Sequence, residues 1–311
     1  MAATEVSVVL PTRNRWGMLG QALRSAFEQQ DVDLEVIVID EASSDETPAG
    51  LGRIDDPRLT VIRHDAPEGV ARARNAAIER ARGRWISFLD DDDLLAPDNF
   101  RTQLGHAEDP SVVLLYSGRV EVDEALTVQH LSPPNDPEGL ERRILLGNVV
   151  GPPSGVLVRS DALERVGAFD ESFSAMADWD LWIRIATLGP AKVSTEPLLA
   201  YRRHSGSMTV AKGDEVLDEF ERLGAKHGPA AATQGIEFGA EFVGPWVASR
   251  DLAEGRRLRA ARGYARLAVR ERSRRNLMRA LAAIGGRRLE RLGRAMESRA
   301  TPRPEWLERY A

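Results

Sequence analysis

The first hundred residues alternate two periodicities, and that alternation restricts the fold more than any other feature of the chain. VSVVL (6–10), LEVIVID (34–40), LTVIRH (59–64) and WISFLD (85–90) are short β-branched runs that read as strands. Between them GMLGQALRSAFEQQ, SDETPAGLGRI and GVARARNAAIERARG read as helices, the third with Val70, Ala73, Ala77, Ile78 and Ala81 at helical spacing. Strands apolar nearly throughout are buried on both faces, so the expected class is α/β: a mostly parallel sheet covered by helices. In such sheets ligands bind in the crevice beyond the carboxyl ends of the strands. Pro11, Thr12, Arg13 and Asn14 follow the first strand, Asp40 to Asp45 end and follow the second, and Asp90 to Asp93 follow the fourth. Three polar strand ends therefore converge on one crevice.

The four consecutive aspartates of WISFLDDDDLLAPD raise one another's pKa unless something compensates. Bulk water and a bound divalent cation are the two candidates. Mg²⁺ or Mn²⁺ takes carboxylate oxygens and keeps positions open for substrate phosphates. Alternate residues of an Asp-x-Asp stretch leaving a strand can present one carboxylate to a nucleotide and another to the metal. The competing reading is a solvated turn or helix cap, and the place at the carboxyl edge of a sheet favours the functional one.

Three further groups carry chemistry. Arg72 and Arg74 open a helix beside the crevice, and the guanidinium fork suits phosphates and base carbonyls. In FDESFSAMADWDLWIRIA, Asp178 and Asp180 lie two apart on a predicted helix and cannot share a face, whereas Asp178, Leu181, Trp182 and Ile185 can. One aspartate then faces a site and the other faces elsewhere, the alternative being a helix cap. In YRRHSGSMT (201–209), His204 follows Arg202 and Arg203 in a loop suited to a pyrophosphate or metal, or is a plain surface histidine.

Beyond the first four strands, LLAPDNFRTQL reads as a helix entered through Pro97, VVLLYSGRVEVD as a strand or hairpin, GVLVRSDALERVG as a strand and short helix, and DWDLWIRIATLG as a helix ended by Gly189. From residue 213 the pattern is helical, with Leu258, Ala261, Ala265 and Ala268 spaced for paired helices and RRLERLGRAMES continuing the pattern. Two regions are expected: an α/β domain over 1–212 that holds the crevice and an α-helical region over 213–311.

The 311-residue chain has no cysteine, which excludes disulfides and thiolate metal sites and fits a reducing compartment. The start MAATEVSVVLPTRNR lacks the features of a signal peptide, and no apolar run reaches the ~18 residues of a membrane span. A cytoplasmic protein is expected. The net charge of −6 conceals an asymmetry, because residues 250–299 hold sixteen Arg against five acids. A basic tail on an acidic body points to anionic lipid at the inner face of a membrane, an acidic partner or a homodimer, while Arg on the solvated faces of a bundle is the bland alternative. No nucleic-acid partner is expected.

Taken in order, VVLPTRNR, VIDEASSDET, GVARARNAAIERARGRWISFLDDDDLLAPD, GPPSGVLVRSDALERVGAFDESF, DWDLWIRIA and YRRHSGSMT resemble family 2 glycosyltransferases over residues 5–210. The resemblance implies the GT-A fold, a Rossmann-like mixed, mostly parallel sheet flanked by helices, here with a C-terminal helical extension. It also implies an inverting transfer from a nucleotide-activated sugar, with a divalent metal, Mn²⁺ or Mg²⁺, as cofactor.

By the same resemblance Pro11, Thr12, Asn14, Asp40, Arg74, Asp90 and Asp91 would hold the nucleotide, with Asp40 suited to a pyrimidine imide and UDP-sugars therefore favoured. Asp90 and Asp92 match the outer positions of the family's Asp-x-Asp, Asp92 being the direct ligand, and Asp91 with Asp93 remains an alternative register. Asp178 matches the catalytic base, and His204 a metal or diphosphate contact. Trp179 and Trp182 would flank the acceptor or simply pack the core, and Arg202 would belong to the donor or acceptor pocket. Glu41, Asp91 and Ala177 stand where the family usually has Asp, a small residue and an acid. The acceptor is a hydroxyl of a glycan, lipid-linked glycan, small molecule or peptide.

Two rivals are set aside on residues. A dinucleotide oxidoreductase needs a Gly-rich loop where this chain has PTRNRWG. An aspartyl phosphatase usually carries Thr or Val soon after its second Asp, and this chain reads DDDDLL. A catalytically silent nucleotide-sugar binder is the third possibility.

Overall fold

The computed structural model describes residues 4–204, 213–239, 248, 252, 255–270, 274–285 and 303–310. Its sheet has nine strands in the order β3-β2-β1-β4-β8-β6-β9-β5, with β7 beside β6. The first four are β1 (Val6–Thr12), β2 (Leu34–Asp40), β3 (Leu59–Arg63) and β4 (Trp85–Phe88), paired in parallel as their composition requires. Every residue of β1, β2 and β4 is buried, because α1 (Trp16–Phe27), α2 (Thr47–Leu51), α3 (Val70–Ile78) and later helices cover the sheet. β3 lies at the edge, and Val61 there is 42% exposed.

Past β4 the sheet becomes mixed. β5 (Leu94–Leu95), β6 (Leu114–Val122), β7 (Val128–Ser132), β8 (Leu157–Arg159) and β9 (Ala191–Arg202) pair antiparallel except β6 with β9. The segment LLAPDNFRTQL is therefore not all helix. Leu94 and Leu95 are buried against Ala200 and Leu199 of β9, and α4 spans only Asn99–Leu104. Pro97 drives the residue before it out of the helical region, which separates the two elements. β9 itself had no sequence signature, since Pro197 lies inside it and the pairing with β6 shifts register around Gly118. A Cβ on Gly118 would come 2.9 Å from the carbonyl oxygen of Glu196, so the strands meet there only through a glycine.

α5 (Leu140–Arg143) and α6 (Ser160–Val166) are short, and α7 (Ala177–Ala186) is amphipathic, burying Trp179, Leu181, Trp182, Ile183 and Ile185. The chain divides into two compact units, one of Met1–Ile144, Val149–Leu223 and Arg303–Ala311, the other of Leu145–Asn148 and Gly224–Pro302. The division thus falls within α8 (Gly213–Thr233) rather than at its start near residue 213. The reason is burial: Val216 and Leu223 are buried, and Glu219 accepts the backbone N–H groups of Ser174 and Met176 at 2.9 Å each, just ahead of α7. The last residues return to the first unit, where Leu307 and Tyr310 of a 3₁₀ turn pack with Leu94, Val120, Val122 and Ala200.

In the second unit α9 (Arg257–Arg270) pairs with α10 (Arg274–Gly285) through Ala260, Ala261, Tyr264, Ala280 and Ala283. The predicted stripe is rotated: Ala261 is buried, whereas Leu258 and Ala265 are exposed. The predicted helical continuation over 287–298 and the loop beyond His204 lie outside the described residues. Among the described residues no helix is long and apolar enough to cross a membrane.

Candidate active site

The strand order turns back at β1, which has β2 on one side and β4 on the other. The carboxyl ends of β1 and β4 therefore open a crevice between them. Parallel pairing sets Val9 beside Phe88, so Thr12 and the aspartate run leave the sheet together. A cavity of about 430 Å³ lies there, lined by Pro11, Thr12, Arg15, Glu41, Arg74, Asp90, Asp91, Asp92, Asp178 and Arg202 among others.

The four aspartates have four different environments. Asp90 Oδ1 accepts from Arg74 Nη2 at 2.5 Å, and Arg74 is buried with its guanidinium 5.3 Å from the centre of the Phe169 ring. Asp91 accepts from Thr12 Oγ1 at 2.8 Å and from Arg15 Nη1 at 3.0 Å. Burial pushes the Asp91 carboxyl up to about 6, with Arg15 pulling down and the charge of Asp92 adding to the rise. Asp92 Oδ2 meets Arg15 Nη1 at 2.9 Å and His204 Nε2 at 2.8 Å. Asp93 is fully buried, accepts the backbone N–H of Arg202 at 2.8 Å, and keeps its second oxygen without a hydrogen-bond partner. Burial raises its pKa well above the usual carboxylate range, and the charges of Asp92 and Asp90 raise it further.

Asp90, Asp92 and Asp93 each bring one oxygen within 4.8 Å of the others. Three gathered carboxylates, one with an orphaned buried oxygen, fit a hard divalent cation. The trio draws on both registers that the sequence offers, Asp90 and Asp92 from one and Asp93 from the other, while Asp91 lines the cavity bonded to Thr12 and Arg15.

Asp178 sits in the first turn of α7, lines the cavity, and accepts the Trp179 N–H at 2.7 Å. Asp180 is fully buried and accepts from Arg184 Nε at 2.8 Å. One aspartate faces the site and the other does not, as helical spacing requires. Arg202 lines the cavity while its Nη2 donates to Gln21 Oε1 at 2.7 Å.

Several predicted residues sit elsewhere. Asp40 is buried, bonded to Arg63 and to the Ser43 N–H at 2.9 Å, because β2–β3 pairing sets Arg63 beside it. Its neighbour Glu41 lines the cavity instead and accepts the N–H groups of Glu68 and Gly69 at 2.9 and 2.7 Å, fixing the start of α3. Asn14, at φ 54°, accepts the Ser44 N–H at 2.7 Å and ties the first strand's loop to the second's; it does not line the cavity. His204 contacts Asp92 without lining the cavity. Trp179 and Trp182 are 1% and 0% exposed, and their indole N–H groups donate to the carbonyls of Ile144 and Gly151. They pack the core and do not line the cavity, since an indole buries a large apolar area once its N–H has an acceptor.

Arg15 is the charged cavity residue that sequence reasoning passed over, and Ser174 and Tyr201 line the cavity without having been singled out either. Arg15 occupies the N-cap position of α1, where its carbonyl accepts the Met18 and Leu19 N–H groups but its side chain makes no capping bond. A cation at a helix N-terminus opposes the helix dipole, so its place there signals acidic partners nearby.

A Rossmann-like sheet turned mixed at its second half, with an aspartate cluster at the switch point, is the architecture of GT-A glycosyltransferases. The sequence model of Glycosyl transferase family 2 matches residues 7–167, and the chain belongs to that family. It is a glycosyltransferase. The chain is 28% identical over 216 residues to the UDP-Glc:alpha-D-GlcNAc-diphosphoundecaprenol beta-1,3-glucosyltransferase WfaP of Escherichia coli, covering 68% of this chain and 82% of that protein. With the succinoglycan biosynthesis protein ExoO of Rhizobium meliloti it shares 41% identity over 104 residues, 33% of this chain and only 30% of that protein. The fold resembles S. aureus TarS 1-349 in complex with UDP-GlcNAc, with a TM-score of 0.59 and 16% identity over 95% of this chain and 89% of that one. It also resembles the mannosyltransferase PcManGT from Pyrobaculum calidifontis in complex with GDP-Man and Mn2+, with a TM-score of 0.54 and 20% identity over 100% and 85% of the two chains.

Proposed function

We propose that this enzyme transfers a sugar from a UDP-sugar to a hydroxyl of a glycan acceptor carried on a lipid, with inversion at the anomeric carbon and with Asp178 as general base. The observation that carries this reading is the placement of Asp178 and the aspartate run on one cavity of about 430 Å³, a size suited to a sugar nucleotide. The diphosphoundecaprenol acceptor and UDP-Glc donor named for WfaP support the choice of substrate classes.

Asp90, Asp92 and Asp93 would hold Mn²⁺ or Mg²⁺, which when bound supplies positive charge to a departing diphosphate. Arg15, Arg74 and Arg202 line the same cavity and offer guanidinium forks to phosphate oxygens. Asp178 takes the proton of the acceptor hydroxyl as that oxygen bonds to the anomeric carbon and the bond to the diphosphate breaks. A single displacement from the face opposite the leaving group inverts the centre, by the logic of inverting glycoside chemistry.

Calorimetric titration of UDP, dTDP and GDP, with and without Mn²⁺, into the wild type and Asp92→Ala tests the donor site. Metal-dependent binding of UDP that disappears in the variant is expected. Binding of no nucleotide under any metal condition overturns the reading.

A further inference from the structure

The second unit presents an apolar stripe that its own packing does not use. On α10 the inward face is made of small or polar residues, Asn276, Ala280 and Ala283, all buried. The large apolar residues point the other way: Leu277 is 51% exposed, Met278 53%, Leu281 48% and Ile284 63%. Residues 277, 281 and 284 recur at helical spacing and form one continuous strip. α9 repeats the arrangement, with Leu258 68% and Val269 82% exposed and Ala265 exposed between them. A helix in water normally turns its largest apolar side chains toward its partner helix. Here α10 does the opposite, and α9, although it packs Tyr264 inward, leaves Leu258 and Val269 in solvent; contiguous exposed apolar surface of this kind marks an interaction site.

Charge identifies the partner. Residues 257–285 contain nine arginines and one glutamate, and Arg257, Arg259, Arg262 and Arg266 are exposed along α9. Arg259, Arg262 and Arg266 flank the Leu258–Ala265–Val269 strip, an arrangement that lets aliphatic stems lie on apolar surface while guanidinium heads reach anions. A second copy of the chain would oppose two such cationic arrays, a costly juxtaposition of like charges. A nucleic acid would satisfy the arginines but leave the leucines in water. A bilayer with anionic headgroups satisfies both, taking the apolar strip into the acyl boundary and the arginines at the phosphate level.

We propose that the outward faces of α9 and α10 form a peripheral docking surface for anionic membrane. The bilayer is where a lipid-linked acceptor would be met, but the docking is independent of the transfer reaction and is measured without nucleotide.

The test is co-sedimentation of the full chain with phosphatidylcholine vesicles, with and without phosphatidylglycerol. The wild type is expected to sediment with the anionic vesicles and to be released by raised salt. Leu281→Glu combined with Ile284→Glu is expected to reduce the bound fraction on the order of tenfold, and Arg259→Glu with Arg262→Glu to abolish the anionic preference. All four side chains are outside the helix–helix contact, so both variants keep the fold, checked by circular dichroism and by unchanged UDP binding. Absence of sedimentation with either vesicle overturns the proposal, as does binding that neither variant weakens. Self-association without lipid that is lost in Leu281→Glu, read by analytical ultracentrifugation, overturns it in favour of a copy interface.

Discussion

Asp178 and Asp180 are chemically identical and two residues apart, yet the first lines the cavity and is the proposed base while the second is fully buried. Asp178→Asn keeps shape and hydrogen bonding but removes the base, so kcat is expected to fall by about 10²–10⁴-fold while donor affinity and melting temperature stay near wild type. Asp180→Asn leaves the cavity untouched and strips Arg184 of its carboxylate partner at a fully buried position. That change is expected to cost on the order of 3 kcal/mol in denaturant unfolding, with kcat of the surviving folded enzyme little altered. Arg15 joins Asp91 to Asp92, at 3.0 and 2.9 Å, and so ties the candidate cation ligand Asp92 to a neighbour outside the trio. Asp178, Arg74 and the aspartate run were legible because side-chain type and strand-end position are local properties. Asp40 was not placed, because nothing near it in sequence announces Arg63 on the neighbouring strand.

At the scale of elements, α7 presents Asp178 to the cavity in its first turn and is anchored by the buried Trp179 and, one turn beyond Asp178, by Trp182. Phe88 and Phe169 meet edge to face with centroids 5.1 Å apart, and Trp182 lies 6.2 Å from Phe88, so β4, α7 and the segment after α6 form one aromatic core beneath the site. Trp182→Ala is expected to lose about 3–5 kcal/mol of stability, while Trp182→Phe loses less because most of the apolar volume remains. If either tryptophan instead bound sugar, Trp182→Phe would raise KM without lowering the melting temperature. Helical periodicity located α7 and its buried face, but periodicity alone does not tell a core tryptophan from a stacking one. β9 escaped because a strand broken by Pro197 and a register shift loses the alternation by which strands are read.

Across the whole molecule, the return of Arg303–Ala311 to the first unit is the feature with the clearest consequence. Leu307 is 0% exposed, Trp306 Nε1 donates to the Pro197 carbonyl at 3.1 Å, and the Tyr310 hydroxyl donates to Glu28 Oε2 at 3.0 Å. Leu307→Ala is expected to cost about 2–5 kcal/mol, read by the denaturation midpoint of the first unit. Burial pushes the Glu28 carboxylate up, but bonds from Arg24 and Tyr310 outweigh it and hold its pKa below the usual carboxylate range. A depressed folded pKa contributes stability above the unfolded value and loses it as pH falls through the folded one. The melting temperature is therefore expected to drop on acidification, and Glu28→Gln to blunt that part of the drop.

The sequence by itself determined the alternating strands and helices, the crevice at their carboxyl ends, the carboxylates that face it and the concentration of arginine in the C-terminal helices. Each of these follows from periodicity or residue type within a single element. Only the tertiary structure decided that Asp93 rather than Asp91 joins the gathered trio, that Arg63 engages Asp40, that both tryptophans belong to the core and that the large apolar residues of α10 face outward. Those outcomes depend on contacts between segments far apart in the chain, where burial and charge pairing are set by neighbours that no local pattern specifies.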